Sequence, residues 1–400
     1  MEGIAMKTHP CGRFIPLVVH REGEAPAEPQ AISSRRFDED LASTISEFRD
    51  DRLASGTAGD PQAGAPRPLA LSVAVGAAVV LVAASFNHSA IAGDVPKQSV
   101  LVVVGAGGNE EYSRQFRLWA ERWKSAAERG GAEFAAIGLE QPEGSSDRER
   151  LQQRLAERSA ASTEPLWLVL IGHGTYDGKT ARFNLAGPDV SEAELGEWVR
   201  AVKRPVAIIN TASSSGPFLA ELSAPDRVVI TATRSGSEFN YARLGDFLSS
   251  ALVDPAADLD KDDQVSLLEA WLQGAARTRE FYSSEARLAT EHALIDDNGD
   301  KQGTPADWFR GVRAIKAAKD GAALDGPRAA QFVLVKSPGE SELPPEVRAS
   351  RDELERELAE LRAQKPHLAE EEYLQRLEGI LLDLGRLYGE IGGPTVSPSK

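Results

Sequence analysis

Two short segments carry residue types suited to nucleophilic chemistry: Gly172, His173 and Gly174, and further along Thr211, Ala212, Ser213, Ser214, Ser215 and Gly216. An imidazole can take the proton of a hydroxyl as that hydroxyl attacks a carbonyl, so a histidine and a serine brought together form a base and a nucleophile. Glycines on both sides of His173 place it on an exposed turn whose backbone N–H groups can point at a substrate. Each segment also has an ordinary reading. A Gly-His-Gly turn is more often only a turn, and a serine-rich loop is usually solvated or caps a helix. Ala212 to Gly216 reads ASSSG, one substitution from the G-x-S-x-G elbow, which would make Ser214 the nucleophile and His292 its base. Against that stand the missing first glycine and a histidine, His173, that precedes the serine.

A second group of residues has the chemistry of a cation site. Asp258, Asp260, Asp262, Gln264, Ser266 and Glu269 fall on positions 1, 3, 5, 7, 9 and 12 of a calcium-loop pattern, where oxygen ligands wrap a hard cation. Position 6, a glycine in that pattern, is Asp263. The same stretch reads equally as a solvated helix cap, with Ser266 and Glu269 forming a capping box. Asp296, Asn298 and Asp300 make another acidic cluster. Gly105, Ala106, Gly107 and Gly108 suggest a dinucleotide turn, but Glu110 stands where its third glycine belongs and Glu111 where a pyrophosphate would lie. A tight turn without a cofactor is the reading there.

The elements that must position these residues alternate. Apolar, β-branched runs at Val100–Val104, Glu133–Ile137, Leu166–Ile171, Val206–Ile209, Val228–Thr231 and Gln331–Val335 predict six strands. Amphipathic stretches at Ser113–Glu128, Asp147–Arg158, Ser191–Val202 and Tyr241–Leu252 predict helices between them. Continuous apolar strands belong to a mostly parallel sheet covered on both faces, so the expected fold is α/β, with a six-stranded sheet flanked by helices over residues 97–336. Chemistry in such folds collects at the carboxyl ends of the strands. His173 and Ser213 follow the third and fourth of them.

Composition narrows the functions. With 45 Lys and Arg against 61 Asp and Glu the chain carries a formal charge of −16, which argues against nucleic acid as a partner. The one cysteine, Cys11, excludes disulfide frameworks and cysteine-rich zinc sites, and the six histidines include no HExxH.

The two ends differ from the middle. Residues 1–68, rich in Pro, Gly, Ala and Ser, read as disordered. Leu69–Phe86 is an uncharged apolar run preceded by Arg67 and followed by the small-residue site Ser89–Gly93, the parts of a secretory signal cleaved after Ala92 or of a membrane anchor. Export, periplasmic or secreted, is the favoured expectation, with the functional start lying near residue 66. Toward the other end, Leu354, Leu358 and Leu361, a break at Pro366, then Leu374, Leu377, Leu381, Leu384 and Tyr388 predict a helical hairpin over residues 345–391. It would cover the α/β domain or pair with a second copy as a homodimer.

Taken together, Val100–Gly105, "WLVLIGHGTYDG" (Trp167–Gly178), "VAIINTASSSG" (Val206–Gly216), "VVITATRSG" (Val228–Gly236) and "LGDF" (Leu244–Phe247) resemble the caspase and legumain type of peptidase, in particular the legumain-like C13 family. The resemblance implies a caspase-like fold, a peptide or protein substrate and no required cofactor. It makes His173 the base and puts the nucleophile at Ser213, where the family has cysteine in Glu-Ala-Cys and this chain has Thr211-Ala212-Ser213. It also implies an oxyanion hole from the N–H groups of Gly174 and Ser213, and substrate-pocket counterparts at Arg114 and Asp246. Asp177 is a candidate third acid. Thr211 in place of an acid, and Phe239 in place of a serine, remove the basis for asparagine specificity. Ser213 is then either an unusual serine nucleophile or the mark of a pseudopeptidase that binds peptides without cutting them.

Overall fold

In the computed structural model, residues 97–140, 144–319 and 321–392 are described. The expectations for residues 1–68 and 69–92 lie outside them. Among the described residues no helix is long and apolar enough to cross a membrane.

Twelve strands occur among the described residues: β1 (Ser99–Val104), β2 (Glu133–Ile137), β3 (Leu166–Ile171), β4 (Gly174–Tyr176), β5 (Ala181–Phe183), β6 (Val190–Ser191), β7 (Val206–Asn210), β8 (Arg227–Thr231), β9 (Leu294–Asp296), β10 (Thr304–Pro305), β11 (Phe309–Arg310) and β12 (Arg313–Ala314). The main sheet has seven of these, in the order β10-β9-β8-β7-β3-β1-β2. From β2 to β8 all pairings are parallel, and β9 and β10 close one edge antiparallel. Beside it, β4, β5 and β6 form a small antiparallel sheet that starts one residue after His173.

Strand alternation sorts side chains between two cores. Val100, Val102, Val104, Trp167, Val169 and Ile171 point to one face, against Phe116, Trp119 and Trp123 of α1 (Glu110–Arg129). Leu101, Val103, Leu166, Leu168 and Leu170 point to the other. They meet Leu151 and Leu155 of α2 (Asp147–Glu157), Leu195 and Val199 of α3 (Glu192–Arg200) and Phe218 of α4 (Gly216–Leu222). The first face is completed by α5 (Leu244–Ala251), α6 (Leu267–Ser284) and the short α7 (Pro327–Gln331). Capping boxes start α2, α3 and α6, at Ser146 with Glu149, Ser191 with Glu194 and Ser266 with Glu269.

The sixth expected strand, Gln331–Val335, is not one. Gln331 ends α7, and a single antiparallel bridge pairs Val333 with Ser266. The apolar character of the run comes from its place in the core: Phe332 packs edge-on to Trp167, centroids 5.6 Å apart, and Leu334 is buried. Gln98 clamps this segment to the beginning of the sheet, its amide donating to the Val333 carbonyl at 3.0 Å and its oxygen accepting from the Trp167 indole at 2.9 Å. The antiparallel pair at one edge of the sheet was missed because β9 is three residues long and β10 two, whereas the other edge, β2, matches the expected Glu133–Ile137.

After α8 (Pro338–Glu342) the hairpin is formed by α9 (Pro345–Gln364) and α10 (Glu370–Gly392), joined by one turn at Pro366. Arg351 of α9 forks onto Glu340 at 2.5 and 2.9 Å, tying the hairpin down. On α10 the covered line runs through Tyr373, Leu377, Ile380, Leu384 and Leu387, while Leu374, Leu381, Leu382 and Tyr388 are exposed.

Candidate active site

Both segments singled out for chemistry sit at the carboxyl ends of adjacent parallel strands, β3 and β7. Their approach is close enough to demand glycine. A Cβ on Gly174 would lie 2.2 Å from the Ser213 carbonyl oxygen, and one on Gly172 would lie 3.1 Å from the Phe183 ring. The Ser213 hydroxyl lies between the two backbone groups of Gly174, accepting from its N–H at 3.2 Å and donating to its carbonyl at 3.2 Å.

The three consecutive serines have three different environments. Ser215 is buried and shares a hydrogen bond with the Thr233 hydroxyl at 3.2 Å. Ser214 has a left-handed backbone, φ 54°, and its N–H donates to the Glu238 carbonyl at 2.8 Å; its own hydroxyl is buried and finds no partner. Only Ser213 faces the His173 turn.

His173 is set by groups the sequence did not advertise. Its imidazole hydrogen bonds to the backbone carbonyl of Gly107, in the tight turn after β1. Tyr112, Phe116 and Tyr241 surround the ring, with centroids 4.9, 5.1 and 6.0 Å away. Burial among these rings pushes the imidazole pKa below its usual value, and the Gly107 hydrogen bond offsets only part of that shift. The lowered pKa favours the neutral imidazole, the form a base requires. No hydrogen bond joins it to Ser213 among the described residues. Asp177 is not its partner: that carboxylate closes the β4–β5 turn, accepting from the N–H groups of Lys179 and Thr180 and from Arg182 at 2.8 Å, and these bonds hold its pKa well below the usual range.

The two expected pocket residues have different partners. Arg114 is exposed on α1 and pairs with Glu110 at 3.2 Å, whereas Asp246 is held by Arg122 at 2.6 Å. The loop after β8 instead supplies Glu238, whose carboxylate meets the His292 ring at 2.6 Å and Arg234 at 3.1 Å. His292 thus has a carboxylate partner, but it makes no hydrogen bond to Ser214 among the described residues. Next to Glu238, Phe239 stands 72% exposed.

Comparison with known proteins places this geometry beside solved structures of low similarity. The chain is similar to the Drosophila initiator caspase Dronc at 15% identity and a TM-score of 0.32, over 50% of this chain and 79% of that one. Caspase-1 from Spodoptera frugiperda matches at 10% identity and TM-score 0.34, covering 50% and 86%. Chaetomium thermophilum Raptor matches at 11% and 0.28, covering 41% of this chain and 18% of its own. No protein-family model matches the chain, and no curated protein is matched by it.

The acidic loop forms the expected capping box, with three aspartates clustered before it. Asp258, Asp260 and Asp262 bring one carboxylate oxygen each within 4.8 Å of one another, and Asp263 adopts φ 67°, the conformation glycine supplies in a calcium loop. Asp258 accepts from the N–H groups of Lys261 at 2.6 Å and Asp263 at 3.2 Å, and the Lys261 ammonium contacts the Asp258 carbonyl. Glu269 is already engaged: Oε1 accepts from Leu259 N–H at 2.7 Å, and Oε2 completes the cap on Ser266. Gln264 accepts from Ser337 N–H at 3.2 Å and donates its amide to the Asp262 carboxylate at 2.8 Å. Burial, then the neighbouring Glu269, pushes Asp260 up to about 6. Oxygen donors of this kind would suit a hard cation, which would have to displace the hydrogen bonds that Asp258 and Asp262 accept within the loop.

Proposed function

We propose that the crevice between the ends of β3 and β7 is a peptide-binding site on a caspase and legumain type of plan, and that Ser213 leaves it without efficient turnover. The observation carrying this reading is the Ser213 hydroxyl, engaged at both backbone groups of Gly174 and not by the imidazole. A serine hydroxyl stays protonated at neutral pH and must lose its proton during attack to a base held in line and stabilised as it charges. His173 is oriented by a neutral carbonyl, which fixes the ring but does little to stabilise an imidazolium. A cysteine, with an ordinary pKa near 8.5, depends far less on that help. The order of the sequence motifs supports the peptidase plan. We also propose that the exposed line on α10 pairs with a second copy of the chain.

Fluorophosphonate labelling with mass-spectrometric site mapping tests the reading, alongside thiol alkylation and peptide cleavage by Ser213→Cys. Wild-type protein is expected to stay unlabelled, and the cysteine variant to alkylate rapidly and to cut peptides. Labelling of Ser213 with peptide cleavage makes the wild-type protein a serine peptidase. Labelling of Ser214 shifts the chemistry to the Glu238–His292 pair.

A further inference from the structure

Away from the β3–β7 crevice, the β11–β12 hairpin, the segment that follows it and the end of α9 line a half-open cavity of about 870 Å³, within the range of small-molecule sites. Among the described residues its walls hold Arg310, Arg313, Arg362 and His367 and one acid, Glu360. In a chain whose acids outnumber its bases 61 to 45, this is a local reversal of sign. Among the described residues none of the three arginines has an ion-pair or hydrogen-bond partner, although elsewhere Arg122, Arg148, Arg182, Arg277 and Arg351 do. Guanidinium groups without internal partners are ready to fork onto a carboxylate or phosphate.

Apart from Gln364 the rest of the described lining is apolar, with Ala314, Ala317, Ala322 and Leu324. One wall is fixed from behind. Asn298 donates to the Ala323 carbonyl at 2.7 Å, and buried Asp325 accepts from the N–H groups of Asp297 and Asn298 at 2.9 and 3.2 Å. The opposite wall is steadied by the Ile315 N–H on the Trp308 carbonyl at 2.9 Å and by the Lys316 ammonium 3.7 Å over the Trp308 ring. The concavity is therefore built into the fold, with a cationic rim over an apolar floor.

We propose that this cavity binds a free amphiphilic organic anion, a carboxylate or phosphate monoester on an apolar body, with Arg310, Arg313 and Arg362 taking the anionic head. The site is separate from the peptide crevice and does not depend on that reading.

Anilinonaphthalene sulfonate, an apolar ring system with one anionic group, is the direct probe, with decanoate and decyl phosphate as competitors on the full-length protein. Saturable fluorescence at one site per chain is expected, displaced by both competitors and weakened by added salt. Arg310→Ala/Arg362→Ala should weaken binding at least tenfold while thermal melting stays unchanged, and Arg313→Glu alone should do the same. Full-strength binding by both variants, or failure of decanoate and decyl phosphate to displace the dye, overturns the proposal. So does attachment to phosphatidylglycerol vesicles without displacement by the free amphiphiles, since that assigns the basic rim to a lipid surface.

Discussion

The Ser213 hydroxyl stands 3.2 Å from the Gly174 N–H and 3.2 Å from the Gly174 carbonyl, where the chain leaves the neighbouring strand β3 and enters β4. A side chain with this double attachment must leave at least the carbonyl before it can attack anything. Replacing the oxygen by sulfur weakens both bonds and supplies a better nucleophile in one change.

In the Ser213→Cys background, His173→Ala should slow thiol alkylation and peptide cleavage by about 10²- to 10⁴-fold, the usual range for a positioned base. The pH profile is a separate readout. The lowered pKa of His173 places the acidic limb of kcat/KM below the ordinary imidazole value of 6.5. A rate unchanged by His173→Ala would remove the imidazole from the site's chemistry.

Gly174→Ala places a methyl group 2.2 Å from the Ser213 carbonyl oxygen, a backbone atom that cannot swing aside. Chemical denaturation should show a loss of about 1–3 kcal/mol, the range for an overpacked position. Binding of an extended peptide, followed by fluorescence polarisation, should weaken in parallel. A variant of unchanged stability would mean that the two strand ends can separate.

Asp325 and Asp297 form a buried acidic pair that pins the loop after β9 to α7. Burial, reinforced by the Asp297 charge, pushes Asp325 up to about 8, and burial raises Asp297 as well. A folded-state pKa above the unfolded value means that the native state holds the extra proton. The stability this gives is complete below about pH 4 and is lost as pH rises toward 8. Glu291, pushed up to about 7 by burial, acts in the same direction. Melting temperature is therefore expected to fall from pH 5 to pH 8, and Asp325→Asn to flatten that fall without abolishing it. Equal slopes for the two proteins would reject the assignment.

The five parallel strands were legible as short apolar runs, four of them almost wholly buried between covering helices and the edge strand β2 only partly. Phe332–Leu334 has the same composition and was misread, since a core-filling segment and a strand differ only in where their backbone hydrogen bonds go. The positions of His173 and Ser213 could be read from strand order. Their surroundings could not: Gly107 acts through its carbonyl, which every residue has, and Tyr112 and Tyr241 reach the imidazole from distant parts of the chain. Arg114 and Asp246 were matched by motif alone, and each is satisfied by a different neighbour. The heptad-like leucines of α10 were visible, but their periodicity did not reveal which line α9 covers.

That uncovered line gives an oligomerisation test. Leu374, Leu381 and Tyr388 are 52, 37 and 48% exposed, one helical face apart from the residues against α9. Sedimentation equilibrium at micromolar concentration should show a dimer that Leu374→Lys/Leu381→Lys converts to a monomer. A monomeric wild-type protein would leave the helix as a solvated cover.

The clamp by Gln98 makes the start of the sheet depend on residues more than two hundred positions downstream, since one side chain bonds both the Trp167 indole and the Val333 carbonyl. During synthesis, the first strands leave the ribosome long before the segment that completes their core. Until Phe332 and Leu334 arrive, Trp167 lacks the edge-on ring that covers it and keeps only Trp123 as an aromatic neighbour. Premature termination anywhere before that segment therefore yields a chain that chaperones and proteases can recognise as unfinished.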